Sequence, residues 1–333
     1  MTSAIAKDSI VLVTGCNGFI GSHVVDQSLQ AGYRVRGTTR DLKKLERLTK
    51  LWEEKHGAGR FEAVVVPNMA EDGAFDDAVK GVSAIAHVAS NLTFKADPNA
   101  VIPEVIAGIK SILKSAASSA TVKRFVFTSS STAAASPIPN KVFHIDSKTW
   151  NDAVVDEAWA PPPYEPMRAY AVYSASKVEA ERALWKFVEE NKPGFVVNAV
   201  LPDTVFGKIL DRNLHVSTAG FVNALYKGEQ QHLPPQWFVD VQDVALLHLA
   251  CMTDPLIKNE RIIAFAEPWN WNDILRIMRK LRPNEKIIDD YADDNARDLS
   301  TVDNARGNEI LKGFGKSGFT SLEESVKGNI DGL

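Results

Sequence analysis

The sequence predicts an α/β protein built on a doubly wound parallel sheet, with a smaller C-terminal lobe. Three observations point there. Continuous apolar runs alternate with helical patterns through the first two-thirds of the chain, the mark of strands buried on both faces. A glycine-rich turn, Gly15-Cys-Asn-Gly18-Phe-Ile-Gly21, joins the first run to the first helical pattern. After Leu201 the alternation fades into mixed, loop-rich segments.

Taken in order, the strand runs are Ile10–Thr14, Arg34–Thr38, Glu62–Val66, Ala84–His87, Arg124–Thr128 and Phe195–Val200. Helices are expected at Ser22–Gln30, Leu42–Lys55, Phe75–Val79, Pro103–Ser118 and Arg168–Glu190. In the helical pattern that opens straight after the glycine run, Ile20, Val24, Val25 and Leu29 are expected to share one buried face. Ser136–Asn140 and Pro161-Pro-Pro163 read as loops rather than a domain break. Beyond them Gln242–Cys251 reads as a helix and Arg261–Ala266 as a strand returning to the main sheet. A nucleotide-binding domain is therefore expected over residues 8–204 and 238–266. A substrate lobe is expected over 205–237 and 267–333.

Composition narrows the function. The 333 residues are 45% hydrophobic and 24% charged, with a net charge of -4, values of an ordinary globular protein. That charge gives no reason to expect a nucleic acid or an anionic membrane as partner. No apolar stretch spans a bilayer, and the first strand follows the N-terminus too closely for a signal peptide. Two cysteines, Cys16 and Cys251, do not make a disulfide framework. A cytoplasmic location is the expectation. No metal-ligand spacing, paired-carboxylate pattern or hydrolase elbow occurs. His23, His87 and His248 read as packed histidines.

In the turn, glycines allow a sharp reversal and a close approach of backbone to a pyrophosphate, which a helix N-terminus also favours. The spacing is G-x-x-G-x-x-G, with Asn17 where a stricter fingerprint has glycine. Far downstream, Tyr173-Ser-Ala-Ser-Lys177 sets a phenol and an ammonium on one helix face. An ordinary phenol has a pKa near ~10; a cation one turn away is expected to pull it down toward the working range. Either feature alone also fits a ligand-free turn or a surface pair.

Together, Val13-Thr-Gly-Cys-Asn-Gly-Phe-Ile-Gly21, Tyr33-Arg-Val-Arg-Gly-Thr-Thr-Arg40, Lys123-Arg-Phe-Val-Phe-Thr-Ser-Ser130, Tyr173 to Lys177 and Leu201-Pro202 make a recognisable series. With them the chain resembles the extended short-chain dehydrogenase/reductases, a Rossmann-fold family. Within these it is similar to the branch of dihydroflavonol reductases, cinnamoyl-CoA reductases and fungal NADPH-dependent carbonyl reductases. Asp146-Ser-Lys-Thr-Trp150-Asn151 and Leu233-Pro-Pro-Gln236 point to the fungal carbonyl reductases. The resemblance implies that Ser130 binds a substrate carbonyl, with Ser129 or Ser131 as other candidates. It implies Tyr173 as general acid, and Lys177 as the cation that lowers its pKa and bonds the nicotinamide ribose. The asparagine that usually completes the proton relay is missing; Ser111 or Lys110 stands there.

Cofactor choice is legible at the end of the second strand. Thr39 and Arg40, with Lys43 and Lys44 behind, replace the acid expected of an NAD enzyme. A guanidinium pairs with a 2′-phosphate bidentately, so NADPH/NADP+ is expected. Together with the resemblance, these features make Gly15, Asn17, Gly18, Phe19, Ile20, Gly21, Arg40, Lys44, Asn68, Met69, Val88, Ala89, Ser90, Tyr173, Lys177 and Pro202 the expected cofactor set. Phe94, Phe206, Phe221, Gln236 and Trp237, with Ser130 and Tyr173, are expected to line the substrate pocket; plain interlobe core is the other reading of the aromatics. The expected activity is NADPH-dependent reduction of a small-molecule aldehyde or ketone, aryl or ester-bearing. An NAD-dependent nucleotide-sugar epimerase or dehydratase, which wants an acid at the second strand end, and a non-catalytic NADP-sensing regulator are the competing readings.

Overall fold

The computed structural model describes residues 3–214 and 216–333. Seven parallel strands form the main sheet. In chain order the first part runs β1 (Ile10–Thr14), α1 (Phe19–Gln30), β2 (Arg34–Thr39), α2 (Glu46–His56), β3 (Phe61–Val65), β4 (Val82–His87), α3 (Ile102–Ala117) and β5 (Arg124–Thr128). There follow β6 (His144–Ile145), α4 (Asp152–Ala158), α5 (Ala169–Asn191), β7 (Val196–Pro202), β8 (Thr204–Phe206) and α6 (Ala219–Tyr226). The last part comprises β9 (Gln236–Asp240), α7 (Val241–Thr253), β10 (Arg261–Ala264), β11 (Glu267–Trp269), α8 (Trp271–Leu281), β12 (Thr301–Val302), α9 (Ala305–Gly313) and α10 (Leu322–Ile330).

Strand order in the main sheet is β10-β7-β5-β4-β1-β2-β3. The chain turns outward in opposite directions from β1 and β4, so a crevice opens beyond their carboxyl ends. Alternation along each strand feeds two cores. Val11 and Val13 face one, with α1 and α7, while Leu12 faces the other, with α3 and α5. Because both faces are covered, the central strand β1 is apolar from Ile10 to Val13, whereas the edge strand β3 mixes buried and exposed residues. A third core, around Phe206, Phe238, Trp269 and Trp271, fills a lobe built on the three-stranded sheet β11-β9-β8. Capping boxes at Asn270 with Asp273 and at Ser321 with Glu324 start α8 and α10. Among the described residues no helix is long and apolar enough to cross a membrane.

Three expectations need correction. Phe75–Val79 is a run of turns, not a helix. Gly73 and Gly81 bracket it at φ +76° and +71°, leaving too few residues to repay helix nucleation. Leu42–Lys55 divides into a short 3₁₀ turn, Leu42–Leu45, and α2. Finally, the expected boundary at 237/238 falls inside β9, whose residues pair with β8 and β11.

Candidate active site

At the carboxyl end of β1 the glycine turn is fixed by contacts that exclude side chains. Gly15 has φ +63°, and a Cβ there would lie 3.0 Å from the Ala89 Cα. A Cβ on Gly21 would come within 2.1 Å of the Gly15 carbonyl oxygen. Gly18 opens α1 without a side-chain cap, and no acid occupies the first turn, so the positive helix end is left for an anion. The turn is stitched to β4 by Thr14, whose Oγ1 accepts the N–H groups of Val88 and Ala89, each at 3.0 Å. Its own proton then goes to Nδ1 of His87, 2.9 Å away. Burial pushes the His87 imidazole down to about 3, with the Lys177 charge adding to the effect. His87 is a neutral packing residue, as its sequence suggested.

The cofactor set lies along this edge. Asn17 and Ile20 are half-buried beside the turn, and Phe19 is buried. Arg40 and Lys44 are exposed, and neither is in an ion pair among the described residues. The carboxylate of Asp41 accepts the Lys43 N–H at 3.0 Å and so caps the 3₁₀ turn. The Asn68 amide oxygen accepts from Ala70 N–H at 3.0 Å, and Met69 packs toward Gly108. Val88, Ala89 and Ser90 are half-buried at the end of β4, and Pro202 closes β7. A bare helix end, a turn that no Cβ fits and unpaired cations together fit a phosphorylated dinucleotide.

Beyond β5 the candidate catalytic groups converge. Ser130 Oγ accepts from the Thr132 N–H at 3.3 Å and the Thr132 hydroxyl at 3.1 Å. Ser130 also lies close enough to the Tyr173 phenol to favour its ionised form. Tyr173 is half-buried, and the Phe94 ring lies over it at 5.0 Å. Phe94 itself holds φ +49°, a strained conformation for an aromatic residue. Lys177 is buried, and its ammonium donates to the Thr128 carbonyl at 3.3 Å. Burial lowers its pKa to about 8, against the pull of Glu181.

Tyr173 departs from the expectation of lowered acidity. Burial holds its phenol above the ordinary range, and the opposing influence is the Ser130 hydroxyl rather than Lys177. The ammonium is turned to Thr128 instead. A phenol so held keeps its proton at neutral pH, as a general acid must.

The relay position also differs. Ser111 donates to the Glu71 carbonyl at 2.6 Å, and Lys110 is exposed; neither bonds Lys177 among the described residues.

Of the expected pocket residues, Phe94 is the one that makes a ring contact with Tyr173 among the described residues. Phe206 is wholly buried, stacked 6.0 Å from Phe238 and edge-on 5.1 Å from Trp269. It belongs to the lobe core and offers no surface to a ligand, because β8 turns that side chain inward. Phe221 is partly exposed on α6. Gln236 is buried and donates to the Pro234 carbonyl, and half-buried Trp237 donates through Nε1 to Ser300 at 2.9 Å.

Sequence reasoning missed several neighbours. Asp203 follows Pro202, and burial raises its carboxyl to about 7, with Asp298 adding to the rise. Glu181, wholly buried, accepts from Ser129 Oγ at 2.6 Å and from Arg261 Nε at 2.7 Å. Asn151 donates to the Thr132 carbonyl at 3.0 Å, bracing the loop after Ser130. Only the i, i+4 spacing of Lys177 and Glu181 was there to find the second of these.

A doubly wound sheet with a glycine turn at its switch point and serine, tyrosine and lysine beside it defines a Rossmann-fold enzyme. The model of the NAD dependent epimerase/dehydratase family matches residues 11–263, and the chain belongs to that family, the extended short-chain dehydrogenase/reductases. It is 43% identical to aldehyde reductase 2 of Sporidiobolus salmonicolor, over 98% of this chain and 96% of that protein. It is 39% identical to the ketoreductase adrE of Penicillium rubens, over 97% and 96%. Among solved structures, yeast methylglyoxal/isovaleraldehyde reductase Gre2 complexed with NADPH superposes with a TM-score of 0.80 at 27% identity, covering 96% of each chain.

Proposed function

We propose that this protein is an NADPH-dependent carbonyl reductase that converts aldehydes and ketones, aryl or ester-bearing ones among them, to alcohols. The observation that carries the reading is the placement of Ser130, Tyr173 and buried Lys177 together beyond the end of β5. Aldehyde and ketone reduction by the relatives supports it, as does the NADPH complex of the yeast reductase. Exposed, unpaired Arg40 in place of an acid favours NADPH over NADH and argues against an NAD-dependent epimerase.

Bound NADPH supplies the hydride. Residues Gly15 to Gly21 would hold its pyrophosphate, and Arg40 and Lys44 its 2′-phosphate. Asn68 and Met69 would lie by the adenine, Val88, Ala89, Ser90 and Pro202 by the nicotinamide, and Lys177 by the ribose. Ser130 donates a hydrogen bond to the carbonyl oxygen, which stabilises the charge that develops there. Tyr173 then breaks its O–H bond and forms a new one on that oxygen, giving the alcohol. Buried Lys177, still cationic below a pH of about 8, stabilises the phenolate left behind. Phe94 supplies an apolar wall over the tyrosine. The substrate would enter between the sheet edge and the lobe built on β8, β9 and β11, with Phe221 and Trp237 as further walls.

Following cofactor absorbance while NADPH is mixed with a panel of aldehydes, ketones and nucleotide sugars tests this reading. Oxidation of NADPH by the carbonyl compounds supports it. Turnover confined to nucleotide sugars with NAD would reject it.

A further inference from the structure

We propose that Glu181 is a positioning residue for the proposed reduction: it fixes the strand end bearing Ser130 and sets a negative charge one helical turn from Lys177. The proposal rests on the reductase reading of Ser130, Tyr173 and Lys177. Its basis is the geometry of a carboxylate without any exposed surface. Burying an anion this deeply is costly unless every oxygen is satisfied. Here one oxygen accepts from Ser129 Oγ at 2.6 Å, while the other accepts from Arg261 Nε at 2.7 Å and Trp185 Nε1 at 3.1 Å.

These partners come from separate elements. Ser129 immediately precedes Ser130 at the end of β5, and its N–H donates to the Val200 carbonyl of β7 at 2.9 Å. Arg261 opens β10, the strand beside β7. Its guanidinium also donates to the Ser147 and Thr149 carbonyls, each at 2.8 Å, and covers the Trp150 ring at 3.9 Å. The next residue, Asn151, holds the Thr132 carbonyl. One carboxylate on α5 therefore ties down both sides of Ser130. The same helix carries Tyr173 and Lys177, so the relative placement of all three groups passes through Glu181.

Charge gives the arrangement a second consequence. The groups facing Lys177 are Tyr173 and Glu181 on α5, the Thr128 carbonyl on β5 and neutral His87 on β4. Glu181 is the anion among them, and it works against the burial that lowers the ammonium. Arg261, at the start of β10, shares its charge through the ion pair at 2.7 Å.

The test uses the full chain. The titration of Lys177 is followed by heteronuclear NMR of labelled lysine, assigned with K177R, in wild type, E181Q and E181D. In E181Q, Lys177 should titrate about one pH unit lower, and the alkaline limb of the kcat profile should move down with it. E181D keeps the charge and should restore most of the wild-type titration. S129A leaves the ion pair intact, and so keeps the test open where E181Q does not fold. It should lower kcat by about ten- to a hundredfold through misplacement of Ser130, with NADPH affinity and Lys177 titration unchanged. A Lys177 titration in E181Q equal to wild type, or S129A turning over at the wild-type rate, overturns the proposal. A wild-type protein inert toward all carbonyl compounds overturns the reductase reading instead, and the lysine titration still decides the charge-setting role.

Discussion

Replacing Arg40 by alanine isolates the choice of cofactor. Its guanidinium is exposed at the end of β2 and has no ion-pair partner among the described residues, so the substitution breaks no internal contact. The nearby carboxylate of Asp41 accepts the Lys43 N–H and forms no ion pair with Arg40 among the described residues. A charge-assisted bond from Arg40 to a 2′-phosphate contributes about 1.5–3 kcal/mol, or about ten- to a hundredfold in affinity. Exposure weakens such a bond by solvent screening, so the lower end of the range is expected. Affinities for NADPH and NADH would be measured by fluorescence titration at low and high salt. Arg40→Ala should weaken NADPH about tenfold and leave NADH nearly unchanged, and the NADPH difference should shrink as salt rises. Equal losses for both cofactors, or a wild-type preference for NADH, would refute the reasoning.

Other perturbations separate the remaining roles. Because burial sets Lys177 near a pKa of about 8, kcat should fall as pH rises through that value, and a flat profile to higher pH would show that its charge is not needed. The sign for stability is opposite. Between about 8 and the ordinary lysine value near ~10.4 the unfolded chain holds a proton that the folded chain has released, so the penalty of burying Lys177 fades as pH rises through that window. Chemical denaturation across that range, in wild type and Lys177→Met, would detect it as a gain present in the wild type alone. Phe94→Ala should lower kcat/KM for aryl aldehydes more than for small aliphatic ones, since it removes the ring 5.0 Å from Tyr173; equal losses would deny it a role in selectivity. Phe206→Ala should instead destabilise the fold by about 3–5 kcal/mol and leave the substrate order alone, which thermal melts and a substrate panel would check.

Much of this architecture was legible in the sequence because the sheet is buried on both faces. Val11, Leu12 and Val13 are apolar in succession, and each fills a core on its own side. The glycine turn was readable for a similar reason, as contacts at Gly15 and Gly21 tolerate no other residue. Short segments were harder. Phe75–Val79 has helical spacing, yet its apolar residues plug the core from consecutive turns. Phe206 sits near the site in sequence, but only the three-dimensional pairing of β8 with β9 reveals that its ring points into the lobe. The acidity of Tyr173 was misjudged because helix spacing puts Lys177 on the same face without saying where its ammonium goes; Thr128 takes it. Glu181 and Arg261 are 80 residues apart in the chain, and no local pattern links them.

Single-turnover oxidation of pre-bound NADPH by an aryl aldehyde, in wild type and Tyr173→Phe, tests the central claim most directly. The wild type should convert aldehyde to alcohol with one NADPH consumed per alcohol formed. Tyr173→Phe should bind NADPH with unchanged affinity and react about 10²–10⁴-fold more slowly, the usual worth of a positioned general acid. No NADPH consumption by the wild type with any carbonyl compound, or a near-normal rate in Tyr173→Phe, would contradict it.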